Sequence, residues 1–402
     1  MSTSLSSEQL TEIAREYGTP VYVYDAEKIT FQYHSLTHEF HDQPARFFYA
    51  CKALTNVHIL KHIYSLGASF DCSSINEVKI ARYAGIPADK ILYTSNSISF
   101  SEIEEAQAEG VHINIDSLSN LDKFGRKYKN TYPVGIRLRP NIMAGGNLNI
   151  STGHDKSKFG IPINKIDEIL AVVHKHKMDI AVLHIHTGSE ISDVDLYMKG
   201  VDILLELAEK FPTVHTLDLG GGFKVPYKDG DSHTDISLLA SAIKKAFAKA
   251  KAQTGREYNI WFEPGKFMVS ECGYLIASVT VLKETSATTF AGVDTGFNHL
   301  IRPMFYGAYH RIENLSNPQG ETRKYSVVGN VCETDTFAWE RDVAEIKEGD
   351  LLVFRNAGAY GMEMASNFNS RFRPAEVMVK DGQPQLIRRR ETFDDLLRNQ
   401  II

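Results

Sequence analysis

The chain has 402 residues, 43% of them hydrophobic and 23% charged, with a formal net charge of −6. That length exceeds a usual single core and favours one large domain beside a smaller one, while the negative balance leaves no general basic surface for nucleic acid. Four cysteines (Cys51, Cys72, Cys272, Cys332) show no CxxC spacing, which argues against a disulfide scaffold or structural zinc and for a reducing, cytoplasmic setting.

The opening MSTSLSSEQLTEIAREYG is polar and then reads as a short amphipathic helix. No apolar run approaches the roughly 18 residues of a spanning helix, so neither an export signal nor a membrane anchor is expected. TPVYVYD (19–25) is extended and is expected to add a strand to a later β domain. Between 46 and 267 short apolar runs alternate with helical patterns, the mark of repeated βα units. The strand candidates are RFFYACKA (46–53), GASFDCSS (67–74), KILYTSNS (90–97), HINIDS (112–117), PVGIRLRP (133–140), IAVLHIHTGS (180–189), HTLDLGGGF (215–223) and NIWFEPGKF (259–267). Eight strands predict an α/β fold, a (β/α)8 barrel over 28–273. From 274 the texture changes to YLIASVTVLKET, TTFAGVD, RKYSVVGNV, GDLLVFRN and AEVMVKDGQPQLI, strand-like pieces between Gly, Asn and Asp. Residues 1–27 and 274–402 are therefore expected to form a β domain of sandwich or barrel type. The RRR at 388–390 runs straight into ETFDD and reads as a solvated surface of mixed charge.

Barrels of this kind gather function at the C-terminal ends of their strands. Read in order, those ends carry Lys52, Asp71, Arg137, then His186, Gly188 and Ser189, then Gly220, Gly221 and Gly222, and finally Glu263 and Lys266. A ring of ionisable and glycine positions is more than chance supplies. Glycines after a strand are ordinarily a turn, but bare backbone N–H groups after strands seven and eight also suit a phosphate. His184 and His186 lie two apart on one strand and share a face, which admits a metal reading; the neighbouring strand ends offer glycines, Glu263 and a lysine, a poor ligand set. The alternative for His186 is a flat ring stacking on an aromatic cofactor. Glu263, in WFEPG, is either a salt-bridge partner of Arg137 or Lys52, or a carboxylate that keeps a pyridine nitrogen protonated. Lys52 interrupts an apolar strand, so its ammonium must face solvent, pair with an acid, or be covalently occupied.

A first-strand lysine, a stacking histidine, a glycine loop and a ring-nitrogen acid together resemble the barrel-type pyridoxal-phosphate enzymes, which include alanine racemases and the ornithine and diaminopimelate decarboxylases. The blocks YACKA, FDCSSINE, SKFGI, HIHTGSEI, LDLGGGF, EPGKF, IRPMFYGAYH, VCETDTF and GAYGMEMASNFNSR follow the order of the diaminopimelate decarboxylase branch. The resemblance implies pyridoxal 5′-phosphate as cofactor, with Lys52 as the Schiff-base lysine, His186 on the ring and Glu263 at the ring nitrogen. It places Ser189, Gly221, Gly222 and Tyr360 at the phosphate, and Asp71, Arg137, Gly220 and Gly265 also in the cofactor's surroundings. It further implies a homodimer with shared sites, Cys332 of one subunit returning a proton in the other. A substrate with a distal carboxylate and a distal ammonium would find donors in Lys266, Arg302, Tyr306 and Tyr360, and an acceptor in Glu333. Left as bland alternatives, Arg302 is a surface arginine and Cys332 a buried thiol.

Two positions depart from the commoner pattern. EPGK stands where EPGR is usual, so a point charge, Lys266, replaces a bidentate guanidinium. In HIHTGSEI, Thr187 and Glu190 stand where Ile and Gln are commoner. The expected reaction is decarboxylation of meso-diaminopimelate to L-lysine and carbon dioxide. Its rivals are decarboxylation of another basic amino acid or of carboxynorspermidine, racemisation, and a non-catalytic regulatory homologue.

Overall fold

The structure, a computed structural model, describes residues 4–142 and 157–401; the loop MAGGNLNIST (143–152) lies outside them. It divides into two units, one of Tyr33–Val225 with Ser232–Phe267, the other of Met1–Gln32, Pro226–Asp231 and Met268–Ile402.

The strands in chain order begin with β1 (Val21–Asp25), β2 (Ala45–Ala50), β3 (Ser69–Cys72), β4 (Ile91–Thr94), β5 (His112–Ile115) and β6 (Val134–Arg139). They continue with β7 (Ile161–Pro162), β8 (Ile180–Ile185), β9 (Thr216–Asp218) and β10 (Asn259–Phe262). In the first unit β2, β3, β4, β5, β6, β8, β9 and β10 pair in parallel, and β10 returns to β2 through Phe262 and Phe47, closing an eight-stranded barrel; β7 adds a short pairing to β6. Helices alternate with the strands, and side chains cap them as their sequences suggest: Ser74, Ser99 and Ser117 each accept from a first-turn N–H, as do Asp193 and Asp235. All eight predicted barrel strands are present, each shorter than the run that foretold it.

The barrel interior follows from the two-residue period of a strand. Phe48, Leu92, Val182 and Trp261 form one buried apolar cluster. Two residues further along three of those strands stand Thr94, His184 and Glu263, all buried. The interior thus changes from an oily plug to a polar layer toward the C-terminal mouth.

The second unit holds β11 (Gly273–Glu284), β12 (Thr289–Val293), β13 (Ile312–Asn314), β14 (Thr322–Val328), β15 (Thr336–Ala344), β16 (Leu351–Phe354), β17 (Ala375–Lys380) and β18 (Gln383–Arg388). With β1 they make one mixed sheet in the order β15-β14-β12-β11-β1-β17-β18, while β16 joins β11 to β13. The strand foreseen at 19–25 is central: Val21 faces Ile276 of antiparallel β11 on one side and Ala375 of parallel β17 on the other. Val21, Val23, Ile276 and Val377 are buried with Leu10 and Ile13 of the N-terminal helix Ser7–Tyr17. Its capping box uses Ser6 and Gln9. All four cysteines are free thiols, and no described helix is long and apolar enough to cross a membrane.

Candidate active site

Lys52 lies outside the strand that the sequence assigned to it. β2 ends at Ala50, and Cys51–Ala53 form a 3-10 turn at the barrel mouth, leaving Lys52 exposed between buried Cys51 and Ala53. The ammonium therefore escapes the desolvation that a mid-strand place would impose. It is near enough to Asp71, His186 and Glu263 to bias the charge of each.

Glu263 follows β10 and is 7% exposed. Burial opposes its ionisation, while the adjoining His184 ring and the Lys52 ammonium act against burial, and the carboxyl lies below its usual range. Its Oε2 stands 3.4 Å from His184 Nε2, and its Oε1 has no hydrogen-bond partner among the described residues. A buried, ionised carboxylate is suited to a protonated ring nitrogen. Burial pushes the His184 imidazole down toward neutrality.

Beside this pair lies Asp218, the last residue of β9, completely buried, which the sequence reading passed over. Burial and the neighbouring Glu263 raise its carboxyl well above the ordinary value, so Asp218 is the neutral member of the two. It accepts from Gly220 N at 3.0 Å and from Asn114 Nδ2 at 3.4 Å. Asn114 in turn needs Gly135 on β6, where a Cβ would come 1.9 Å from its Oδ1. The signal was available, since Asp218 precedes the three glycines, but a single acid on a short strand has no pattern to mark it. His184, Asp218 and Glu263 bring ligating atoms within 4.8 Å of one another. That grouping differs from the His184/His186 pair of the metal reading, and a neutral Asp218 is a weak ligand.

Asp71, the third residue of β3, is buried and raised well above the usual value by burial and by Glu263, against Lys52 and Arg137. Arg137 on β6 is buried with its guanidinium 4.8 Å from the centre of the Phe159 ring, a cation–π contact. Phe159 belongs to the SKFGI block.

The three glycines are required by close approach. A Cβ at Gly220 would meet Ile185 O at 2.6 Å, at Gly221 Glu263 O at 2.2 Å, and at Gly222 Gly188 O at 2.2 Å. The mouths of β8, β9 and β10 thus close on one another through bare backbone. Gly221 N donates to His186 Nδ1 at 3.3 Å, which leaves the ring's proton on Nε2. Burial, with Lys52 and Arg137, pushes this imidazole well below its usual value and keeps it neutral. Ser189 follows on the same loop, half-buried, and Gly265 lies against Ala50, where a Cβ would come 3.1 Å from the Ala50 Cβ. Lys266 and Glu190, the two charged departures from the commoner pattern, meet: Nζ lies 2.7 Å from Oε1.

The second unit gathers the remaining residues in two places. Arg302 is 5% exposed, so it is no surface arginine, and its guanidinium lies 5.5, 5.7 and 5.9 Å from the rings of Tyr227, Tyr306 and Tyr360. Its Nε has no hydrogen-bond partner among the described residues. Tyr360 holds a left-handed backbone, φ 56°, a strained conformation for a bulky residue. Cys332 and Glu333 are both exposed on the turn before β15, which corrects the buried-thiol alternative for Cys332. Asn369 holds that turn, accepting from Cys332 N at 2.8 Å with its Nδ2 3.3 Å from Sγ.

Comparison with known proteins identifies the family. A family model described as pyridoxal-dependent decarboxylase, pyridoxal binding domain, matches residues 26–270. A diaminopimelate decarboxylase from Methanothermobacter thermautotrophicus is 39% identical, covering 97% of this chain and 93% of its own. One from Aquifex aeolicus is 34% identical, with 96% and 92% covered. The solved diaminopimelate decarboxylase of Helicobacter pylori, complexed with L-lysine, superposes with a TM-score of 0.89 at 30% identity, covering 97% of this chain and 98% of that one.

Proposed function

The chain belongs to the pyridoxal-dependent decarboxylase family, in its diaminopimelate decarboxylase branch, and on that footing we propose how its own residues carry the reaction. The enzyme uses pyridoxal 5′-phosphate and decarboxylates meso-2,6-diaminopimelate to L-lysine and carbon dioxide. The observation that carries the assignment is Glu263, buried yet held ionised at the mouth of the barrel beside a neutral Asp218.

When bound, pyridoxal phosphate supplies an aldehyde that takes up amines and a protonated ring that accepts the electron pair released as carbon dioxide departs. Lys52, exposed on its turn, would be the amine that holds the cofactor's aldehyde. Glu263 would hold the ring nitrogen in its protonated form, and neutral His186, its Nδ1 tied to Gly221, would pack against the ring. The backbone N–H groups of Gly220, Gly221 and Gly222, with Ser189 and Tyr360, receive the phosphate; Asp71, Arg137 and Gly265 line the same cofactor surroundings.

Arg302, with Tyr306 and Tyr360, binds the distal carboxylate: a desolvated guanidinium with an unpartnered Nε calls for an anion. Lys266 adds a second cation for a carboxylate. Cys332, exposed and oriented by Asn369, returns the proton to the carbon that lost carbon dioxide, and Glu333 accepts from the distal ammonium. In this reading both come from the second subunit of a homodimer, and the enzyme works in the cytoplasm. Purified protein incubated with meso-diaminopimelate, with and without added pyridoxal phosphate, yields L-lysine and carbon dioxide dependent on the cofactor. Faster turnover of ornithine, arginine or carboxynorspermidine, or no lysine at all, would reject the assignment.

A further inference from the structure

Lys266 opens the short helix Lys266–Val269 immediately after Glu263, Pro264 and Gly265, and is only 8% exposed. A buried ammonium on a four-carbon stem stays at one place only if something fixed holds it. Glu190 does so from 76 residues away, with Oε1 2.7 Å from Nζ.

The backbone at Glu190 shows how firmly that carboxylate is placed. Its φ is 63°, in the left-handed region that a non-glycine residue occupies only when its surroundings impose it. On one side Gly188 O packs so near Gly222 that a Cβ there would come within 2.2 Å. On the other, Ile191 N donates to Gly222 O at 2.9 Å, and Ile191 O accepts from Thr234 Oγ1 at 2.5 Å. Ile191 is itself buried and bridges to Phe223. Glu190 is thus stitched to the glycine loop on both sides, and its carboxylate refers the Lys266 ammonium to that loop.

We propose that Glu190 is a positioning residue for substrate binding, acting through Lys266. This rests on the reading of the barrel mouth as a decarboxylase site with Lys266 as a cation for a substrate carboxylate. With Glu190 in place the ammonium is held where a carboxylate meets it preorganised; without it that anchor is lost and the cation is less tightly fixed. In so far as Glu190 acts through Lys266, its effect vanishes when the ammonium is gone.

The test is a double-mutant cycle on the holoenzyme, saturated with pyridoxal phosphate and assayed with meso-diaminopimelate: E190Q, K266Q and the double variant, with E190D as the conservative control. E190Q is expected to raise KM about tenfold, the size of a lost charge-assisted hydrogen bond, with kcat changed by less than about threefold. E190D recovers most of the loss, and the double variant has the KM of K266Q alone. Cofactor absorbance and melting temperature report folding; if E190Q fails to fold, E190A and the E190A/K266Q pair complete the cycle with the expectation given for E190Q. An unchanged KM in E190Q, or losses at the two positions that multiply independently, would overturn the proposal. Absence of lysine formation by the wild-type enzyme would instead overturn the reading on which it rests.

Discussion

Replacing Asp218 by asparagine is expected to leave the enzyme folded and active, although the residue is completely buried beside the ring-binding acid. The reason is its charge state. Burial and Glu263 raise the Asp218 carboxyl well above 3.8, so the folded protein holds it neutral, and an amide reproduces its shape and charge. Gly220 N–H keeps an oxygen acceptor. The new amide N–H finds the Asn114 Oδ1, which has no hydrogen-bond partner among the described residues, after a flip that reorders little. Alanine does neither. It leaves the buried Gly220 N–H unanswered and opens a cavity, a combined loss of roughly 2–5 kcal/mol.

The pH dependence separates these cases. A carboxyl whose pKa is raised on folding binds its proton more tightly in the folded chain, so its contribution is complete below the ordinary value and is lost as pH climbs toward the folded one. Within that window wild type loses about 1.4 kcal/mol per pH unit from this group, and D218N does not. Denaturant unfolding of the holoenzyme followed upward from the ordinary carboxylate range should show D218N gaining on wild type as pH rises, with D218A far below both. A D218N variant as damaged as D218A, or a difference from wild type that ignores pH, would refute the account of how Glu263 remains the ionised partner.

Gly221→Ala drives a Cβ to 2.2 Å from Glu263 O, more than 1 Å inside ordinary contact, so the glycine loop must retreat from β10. Spectroscopic titration should show pyridoxal phosphate affinity falling by about 100-fold, the usual cost of a displacement near 1 Å. R302Q should raise KM for diaminopimelate by about 100-fold while leaving cofactor absorbance intact, since a desolvated carboxylate loses its charged partner. K52A and C332A should each be nearly inactive alone, yet equal mixtures allowed to exchange subunits should regain up to about a quarter of wild-type activity, because half the dimers then hold one complete site. Full additivity of inactivity in the mixture would mean that the two residues serve within one chain.

The barrel was legible because eight apolar runs recur at even spacing. Lys52 was placed one element early because RFFYACKA is apolar from Phe47 to Cys51; only the geometry shows that pairing stops at Ala50. In the second unit TFAWERDVA, now β15, was not marked as a strand, since it alternates charges with a Trp339 that is 59% exposed and so lacks a simple buried face. The glycines at 220–222 were recognised as a loop, but their necessity lies in three separate chain segments converging, and no local pattern encodes that. Asp218 and the Lys266–Glu190 pair are invisible for the same reason: the partners are 45 and 76 residues apart in sequence.

The claim at the centre of the account is that the amine on the turn after β2 is the covalent anchor of the cofactor. Borohydride reduction of the holoenzyme followed by proteolysis and mass spectrometry should place the phosphopyridoxyl mass on the peptide containing Lys52, and on none in K52A. The label on Lys266 or any other lysine, or no label at all, would contradict it.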